Sequence, residues 1–248
     1  MNRVDSPHTT FEAGVPAEEG DLILERRRRL SFALCPPRGG CYLDFGCGNG
    51  AQTLLFLPSF TRCIGVDIND ASLERFRAAA AQAGVTDRLQ LLSAQRFPLE
   101  LPDGCVDYLS SFEVLEHVQD EAETLREWHR LLSAEGRLVV SVPNRWWIFE
   151  MHGATLPLLP WNRVPFFGWL PKNLHDRWAR ARNYTCAGIE ATLRAGGFAP
   201  ERSVYVTAPM DVLRWRAAQR FLRSTVFRGD QSSLPFLATS ILLVARKE

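Results

Sequence analysis

Three short stretches carry side chains of the right type and spacing to do chemistry. The first is Asp44-Phe45-Gly46-Cys47-Gly48-Asn49-Gly50, an acid followed by glycines at every second position. The second is the carboxylate of Asp67, which closes the apolar run Cys63-Ile64-Gly65-Val66. The third is Glu113-Val114-Leu115-Glu116-His117-Val118, where two acids and an imidazole stand close together. A glycine turn between a strand and a helix leaves backbone N–H groups open to a ligand, because a Cβ would block both positive φ and close approach. An acid at the end of the second strand of a βαβ unit can accept from both hydroxyls of a ribose. A histidine beside carboxylates can take a proton near neutral pH, or all three can hold a cation.

Two ligands compete for the glycine turn. Gly-x-Gly-x-x-Gly with an acid about 20 residues later would point to a nicotinamide dinucleotide. Here the spacing is Gly-x-Gly-x-Gly, and Asp44 precedes the first glycine. A pyrophosphate avoids a carboxylate at that point, whereas a cationic sulfonium ligand with an amino acid tail tolerates it. A tight turn with no ligand is the plain alternative. The form Leu43-Asp44-x-Gly46-Cys47-Gly48-x-Gly50 resembles motif I of the class I S-adenosylmethionine methyltransferases, and the resemblance extends over roughly Tyr42 to Phe198.

That resemblance implies an α/β fold with a doubly wound, mostly parallel seven-stranded sheet and S-adenosylmethionine as cofactor. It places Asp67 on the ribose and Ile68 on the adenine. It also points to Ser93 and Ala94 near the adenine amino group, where the family often carries Asp-Ala, and to Ser111 at the end of the fourth strand. With Asp44, Gly46, Gly48 and Gly50 these are the candidate cofactor-binding residues. Glu113 to Val118 is similar to the stretch of ubiquinone-biosynthesis O-methyltransferases whose acids and histidine are implicated in binding a divalent cation. If these residues turn helically, Glu113 meets Glu116 at i,i+3 and His117 at i,i+4. His117, Glu113 and Glu116 are therefore the catalytic candidates, with His152 and Tyr184 beside them. General base catalysis by His117 is the favoured reading, ordinary helix capping its rival, and no metal is assigned.

These stretches need elements to position them. Tyr42–Phe45, Thr61–Asp67, Arg88–Leu92, Val106–Ser111 and Gly136–Val142 read as strands alternating with helices, which argues for a parallel sheet with helices on both faces. The helix over Asp120–Ser133 is expected to turn Ala122, Leu125, Trp128 and Leu132 inward. From Arg145 to Arg182 the regular pattern breaks. Five of the seven tryptophans fall there, among Pro157, Pro160, Pro165 and Pro171, which forbid one long helix. This segment, 145–182, reads as an aromatic-rich cap or substrate lid after the fifth strand. Later, Cys186–Ala195 reads as helix, Ser203–Val206 as strand, Met210–Phe227 as helix and Leu237–Val244 as the last strand. Arg214, Arg216, Arg220, Arg223 and Arg228 face a single acid, Asp211, so this region is a solvated basic face or a contact for an anionic membrane. In the first helix, Arg27 of the run Arg26-Arg27-Arg28-Arg29 falls near the buried stripe.

Composition sets the outer bounds. The 248 residues suffice for one domain spanning 1–248, with residues 1–18 polar and expected to be flexible. A net charge of +1 gives no general pull toward nucleic acid. Six cysteines without a Cys-x-x-Cys pair suit reduced thiols, hence a cytoplasmic setting. Three function classes stay open: a methyltransferase acting on an oxygen of a small-molecule or lipid-linked acceptor, a nicotinamide oxidoreductase, and an S-adenosylmethionine-binding protein without catalysis.

Overall fold

The computed structural model describes residues 21–150, 152–154, 164–211, 213 and 215–248. The expectation for residues 1–18 lies outside the described residues, as does part of the 145–182 cap. Nearly continuous apolar runs form strands buried on both faces, and such strands assemble in parallel. β1 (Cys41–Phe45), β2 (Arg62–Asp67), β3 (Leu89–Ser93), β4 (Val106–Phe112) and β5 (Leu132–Pro143) are all parallel. β8 (Ala238–Lys247) runs antiparallel between β5 and β6 (Phe198–Thr207), and β7 (Gln231–Ser232) pairs antiparallel with β6.

The sheet order is β3-β2-β1-β4-β5-β8-β6-β7, eight strands where seven were expected. The additional strand is β7, whose two residues are too short to show any alternation in sequence. The winding direction reverses between β1 and β4, which places a crevice at the carboxyl ends of those strands, where open α/β sheets bind ligands.

The helices are α1 (Leu22–Leu34), α2 (Ala51–Phe56), α3 (Asp70–Gln82), α4 (Glu121–Leu131), α5 (Lys172–Trp178), α6 (Cys186–Ala195) and α7 (Arg216–Ser224). Successive strand residues feed opposite layers. Leu43, Leu109, Val140 and Leu243 pack with Leu125 and Trp128 of α4 and Ile189 and Leu193 of α6. Their neighbours Tyr42, Tyr108, Val139 and Leu242 pack with Leu30 of α1 and Phe56 of α2. Asn69 caps α3, accepting from Ser72 N at 3.2 Å. Ala122 is exposed rather than inward, because α4 buries Thr124, Leu125, Glu127, Trp128 and Leu131. The helix expected over Met210–Phe227 shortens to α7: Met210 sits at φ 58 and Trp215 is extended, which delays its start.

After β5 the described part of the cap consists of short pieces. A 3₁₀ turn at Phe167–Trp169 is followed by α5, and isolated bridges join Phe149 to Pro165 and Ala154 to Ala179. A further bridge from Asn144 to Tyr184 carries the chain back to the sheet.

Candidate active site

β1 ends at Phe45 and the chain turns through Gly46, Gly48 and Gly50, all at positive φ. Gly46 and Cys47 both donate to Val66 O, at 2.7 and 3.0 Å, which moors the turn to β2. A Cβ at Gly46 would run into the Val114 side chain, and one at Gly50 into the Phe76 ring. Glycine is thus required there by both conformation and space.

Asp67 stands beside this turn. Its Oδ2 accepts from Gly48 N at 2.8 Å and its Oδ1 from Asn69 N at 2.8 Å. An ionised carboxylate has about four acceptor positions, so each oxygen retains capacity for a hydroxyl. The next side chain, Ile68, is 58% exposed although apolar. Ser93 lies in register with Asp67 across β2 and β3, and Ala94 N donates to Asp67 O at 2.9 Å. Gly46, Gly48, Gly50, Asp67, Ile68, Ser93 and Ala94 therefore gather at the carboxyl ends of β1, β2 and β3. Their donor set fits a nucleoside: acceptors for a diol and an open apolar surface for a base.

Asp44 and Ser111 are held differently. The Asp44 carboxylate is buried and accepts from Thr53 Oγ1 at 2.6 Å and from Ser110 Oγ at 2.8 Å. Ser110 in turn lies 2.6 Å from the Tyr42 hydroxyl. Burial raises the Asp44 pKa to about 6, and hydrogen bonds to Thr53, Ser110 and Tyr42 limit the rise. The structure commits this carboxylate to partners inside the domain, so any effect on a bound cation acts through its field. Ser111 is fully buried in β4, and its hydroxyl has no partner among the described residues.

The segment after β4 departs from the helical expectation. Glu113 adopts φ 56 and the following residues form a turn, in which His117 N donates to Val114 O at 2.9 Å. Glu113, Glu116 and His117 consequently do not share one helical face. Glu113 accepts from Ser141 Oγ at 2.6 Å and pairs with Arg27 Nη2 at 2.9 Å. Glu116 turns the other way, wholly buried, with Oε1 3.5 Å from His152 Nε2 and 3.8 Å from His117 Nε2. The two imidazoles meet edge to face with centroids 4.8 Å apart.

No hydrogen bond reaches the Glu116 carboxyl oxygens among the described residues. Burial drives its pKa well above the usual carboxylate range, and the charge of Glu113 adds to the rise. Candidate ligand atoms of Glu116, His117 and His152 lie within 4.8 Å of one another, a spacing that could also hold a metal ion. Arg182 steadies the turn, with its backbone N donating to Glu116 O at 3.2 Å and Nη1 to Val118 O at 2.6 Å. Tyr184 braces it from behind, donating to Glu121 Oε1 at 2.6 Å.

A second buried cluster lies in the cap. His175 is 1% exposed, with Nε2 3.0 Å from Glu150 Oε2 and Nδ1 3.0 Å from Asp176 Oδ1. Burial works against its charged form, but hydrogen bonds to Glu150 and Asp176 outweigh this and raise its pKa. Nothing local in the sequence marks this pairing, since Glu150 and His175 lie in different elements with no shared periodicity.

Residues 43–140 match the family of the methyltransferase domain. The matched stretch is similar to class I S-adenosylmethionine-dependent methyltransferase domains. The chain is 30% identical over 153 residues to a ubiquinone biosynthesis O-methyltransferase of Pseudomonas aeruginosa, covering 60% of this chain and 63% of that one. It is 31% identical over 128 residues to a 27-O-demethylrifamycin SV methyltransferase of Amycolatopsis mediterranei, covering 50% and 47%. The chain thus spans about half to two thirds of the length of the curated relatives it matches. An S-adenosylmethionine-dependent methyltransferase of Mesorhizobium loti shares the fold, with a TM-score of 0.61 and 23% identity over 90% of this chain and 100% of that one. A relative matched over 155 residues, from Mycobacterium tuberculosis, is named a probable S-adenosylmethionine-dependent methyltransferase. No described helix is long and apolar enough to cross a membrane.

Proposed function

We propose that the protein transfers the methyl group of S-adenosylmethionine to an oxygen of a small, apolar or lipid-linked acceptor. One observation carries this reading. Asp67, at the carboxyl end of β2 with Ile68 beside it, and the Glu116–His117–His152 cluster, which follows β4 and β5, belong to the carboxyl edge of the same sheet. Gly46, Gly48, Gly50, Asp67, Ile68, Ser93 and Ala94 would hold the cofactor, with Asp44 and Ser111 behind them.

When bound, S-adenosylmethionine supplies an electrophilic methyl group on a sulfonium sulfur that leaves as the thioether. The chain contributes alignment, exclusion of water and removal of a proton. His117 takes the proton of the acceptor hydroxyl on its imidazole, with His152 alongside. The Glu116 carboxyl, 3.5 and 3.8 Å from the two rings, holds them side by side rather than supplying charge. Glu113 acts as a positioning residue, fixing the turn through Ser141 and Arg27.

The apolar character of the acceptor is supported by the cap. Trp146, Phe149, Phe166 and Trp169 are all exposed, and Phe166 and Trp169 meet with centroids 5.0 Å apart. The Pseudomonas and Amycolatopsis relatives, named as methyltransferases for ubiquinone biosynthesis and a demethylrifamycin, support an oxygen nucleophile in the same direction.

Calorimetric titration tests the cofactor half of the proposal. Wild type is expected to bind S-adenosylmethionine and not NADH. Asp67→Ala weakens binding by about 1.5–3 kcal/mol, the scale of hydrogen bonds to a charged acceptor. Unchanged affinity in a folded Asp67→Ala protein, or preference for NADH, overturns it. Formation of S-adenosylhomocysteine only when a hydroxylated acceptor is present tests the rest.

A further inference from the structure

The two most exposed large apolar side chains among the described residues are Trp215, at 73%, and Phe221, at 65%. Both belong to the α7 region, which contributes nothing to the site above. None of the nine residues of α7 is buried. At 100° per residue, the exposed Arg216, Ala217, Arg220, Phe221 and Ser224 fall within one arc of about 140°. The opposite side faces the fold: Leu222 packs on the cluster of Trp147, Ala208 and Phe227, and Arg223 Nε donates to Pro209 O at 2.7 Å. The helix is thus fixed along the surface by one side and presents arginine and phenylalanine on the other.

The charge of this face has one sign. The α7 sequence Arg-Ala-Ala-Gln-Arg-Phe-Leu-Arg-Ser contains no acid. Arg223 is neutralised by Asp211, but Arg216, Arg220 and Arg228 make no ion pair among the described residues. This local excess stands out on a chain whose net charge is only +1. Val226, Leu234 and Phe236 extend the exposed apolar surface in the stretch that follows. A convex helix face of this kind does not form the groove that a single nucleic-acid strand needs for stacking. It has the composition of an interfacial helix, with cations for phosphate headgroups and aromatic rings for the boundary with the acyl chains.

We propose that α7, with Trp215 at its start, docks on an anionic lipid bilayer. Arg216 and Arg220 meet the headgroup phosphates, while Trp215 and Phe221 enter the interfacial layer. The inference deepens the reading of a lipid-linked acceptor, but its test reads vesicle binding alone and so can fail separately.

The full chain is sedimented with phosphatidylcholine vesicles that contain or lack phosphatidylglycerol. Binding is expected only with the anionic lipid, weakening as salt rises. Arg216→Glu/Arg220→Glu and Trp215→Ala/Phe221→Ala should each lower that binding by about tenfold or more. Both double variants should keep the wild-type affinity for S-adenosylmethionine, which also shows that they fold. Equal binding to both vesicle types, no binding, or variants that bind like wild type overturn the proposal. So does a face that proves to bury a second copy, seen as a dimer in ultracentrifugation that the variants lose while vesicles stay unbound.

Discussion

Arg27 of α1 places Nη2 2.9 Å from Oε1 of Glu113, joining the first helix to the turn that carries Glu116 and His117. Glu113 needs such a tie because it holds φ 56 without being glycine, a conformation that costs about 1–3 kcal/mol. Breaking the pair leaves a half-buried carboxylate with Ser141 as its remaining anchor. Arg27→Met should therefore destabilise the protein by about 1–3 kcal/mol in urea unfolding. It should also raise hydrogen exchange over residues 113–118. Unchanged stability and exchange would reduce the pair to a surface ornament.

The buried carboxyl of Asp44 makes stability depend on pH in a calculable direction. Its folded pKa of about 6 lies above the ordinary value of 3.8, so the native state holds this proton more tightly than the unfolded chain. The stabilisation is present at low pH and is lost as pH rises from about 4 through 6. At about 1.4 kcal/mol per unit, the loss is of the order of 2–3 kcal/mol. Asp44→Asn cannot titrate, and the hydroxyls of Thr53 and Ser110 can rotate to suit an amide. Wild-type stability minus variant stability should fall between pH 4 and 7 in parallel denaturation curves. A constant difference would mean that Asp44 is ionised with little penalty.

The parts of this molecule legible in sequence are those set by neighbours along the chain. Glycine spacing from Gly46 to Gly50, the acid closing β2 and the parallel strand–helix alternation all rest on local turn chemistry and periodicity. Asp67 is marked by its place at the end of β2, whereas Ile68 is singled out only by the family resemblance. What escaped is set by contacts between distant segments. Glu113 holds a left-handed φ with its carboxylate on Ser141 and Arg27, so an assumed helical turn placed that carboxylate wrongly relative to His117. His152 could be named beside the cap, but its approach to Glu116 depends on how the chain returns after β5. Arg26 is another case: it lies buried, donating to Thr207 O at 2.8 Å, Ala208 O at 2.9 Å and Phe227 O at 3.0 Å, partners with no local signature.

His175 makes the cap responsive to pH from both sides. Its raised pKa means that the charged form is favoured when folded, through Glu150 and Asp176, despite burial. That contribution is complete below the unfolded value near ~6.5 and disappears as pH rises through the higher folded value. Burial raises the pKa of Asp176, but hydrogen bonds to His175 and Lys172 outweigh it and leave the value lowered. Its contribution is present above the unfolded value near ~3.9 and disappears as pH falls. Exchange protection over α5 should thus be greatest in the mildly acidic range and fall on the alkaline side. His175→Gln should flatten the alkaline fall. Protection that is indifferent to pH in the wild type would count against a role for the His175 pairs.

The Glu116–His117–His152 cluster admits two chemistries, and chelation separates them. Burial raises the pKa of Glu116 well above the usual carboxylate range, which opposes the ionised form a cation would need. Proton transfer through the imidazoles needs no such ionisation beforehand. Dialysis against EDTA should therefore leave turnover and melting temperature unchanged, and added Mg²⁺ or Zn²⁺ should not raise either. His117→Ala should lower kcat by about 10²–10⁴ while the KM for S-adenosylmethionine stays near wild type. His152→Ala should act in the same sense, whereas Glu113→Gln, which keeps an acceptor for Ser141, should cost less. Turnover abolished by chelator and restored by a divalent ion would replace the base with a metal-held acceptor. Full activity in His117→Ala would remove both and leave methyl transfer to alignment of the acceptor in the crevice alone.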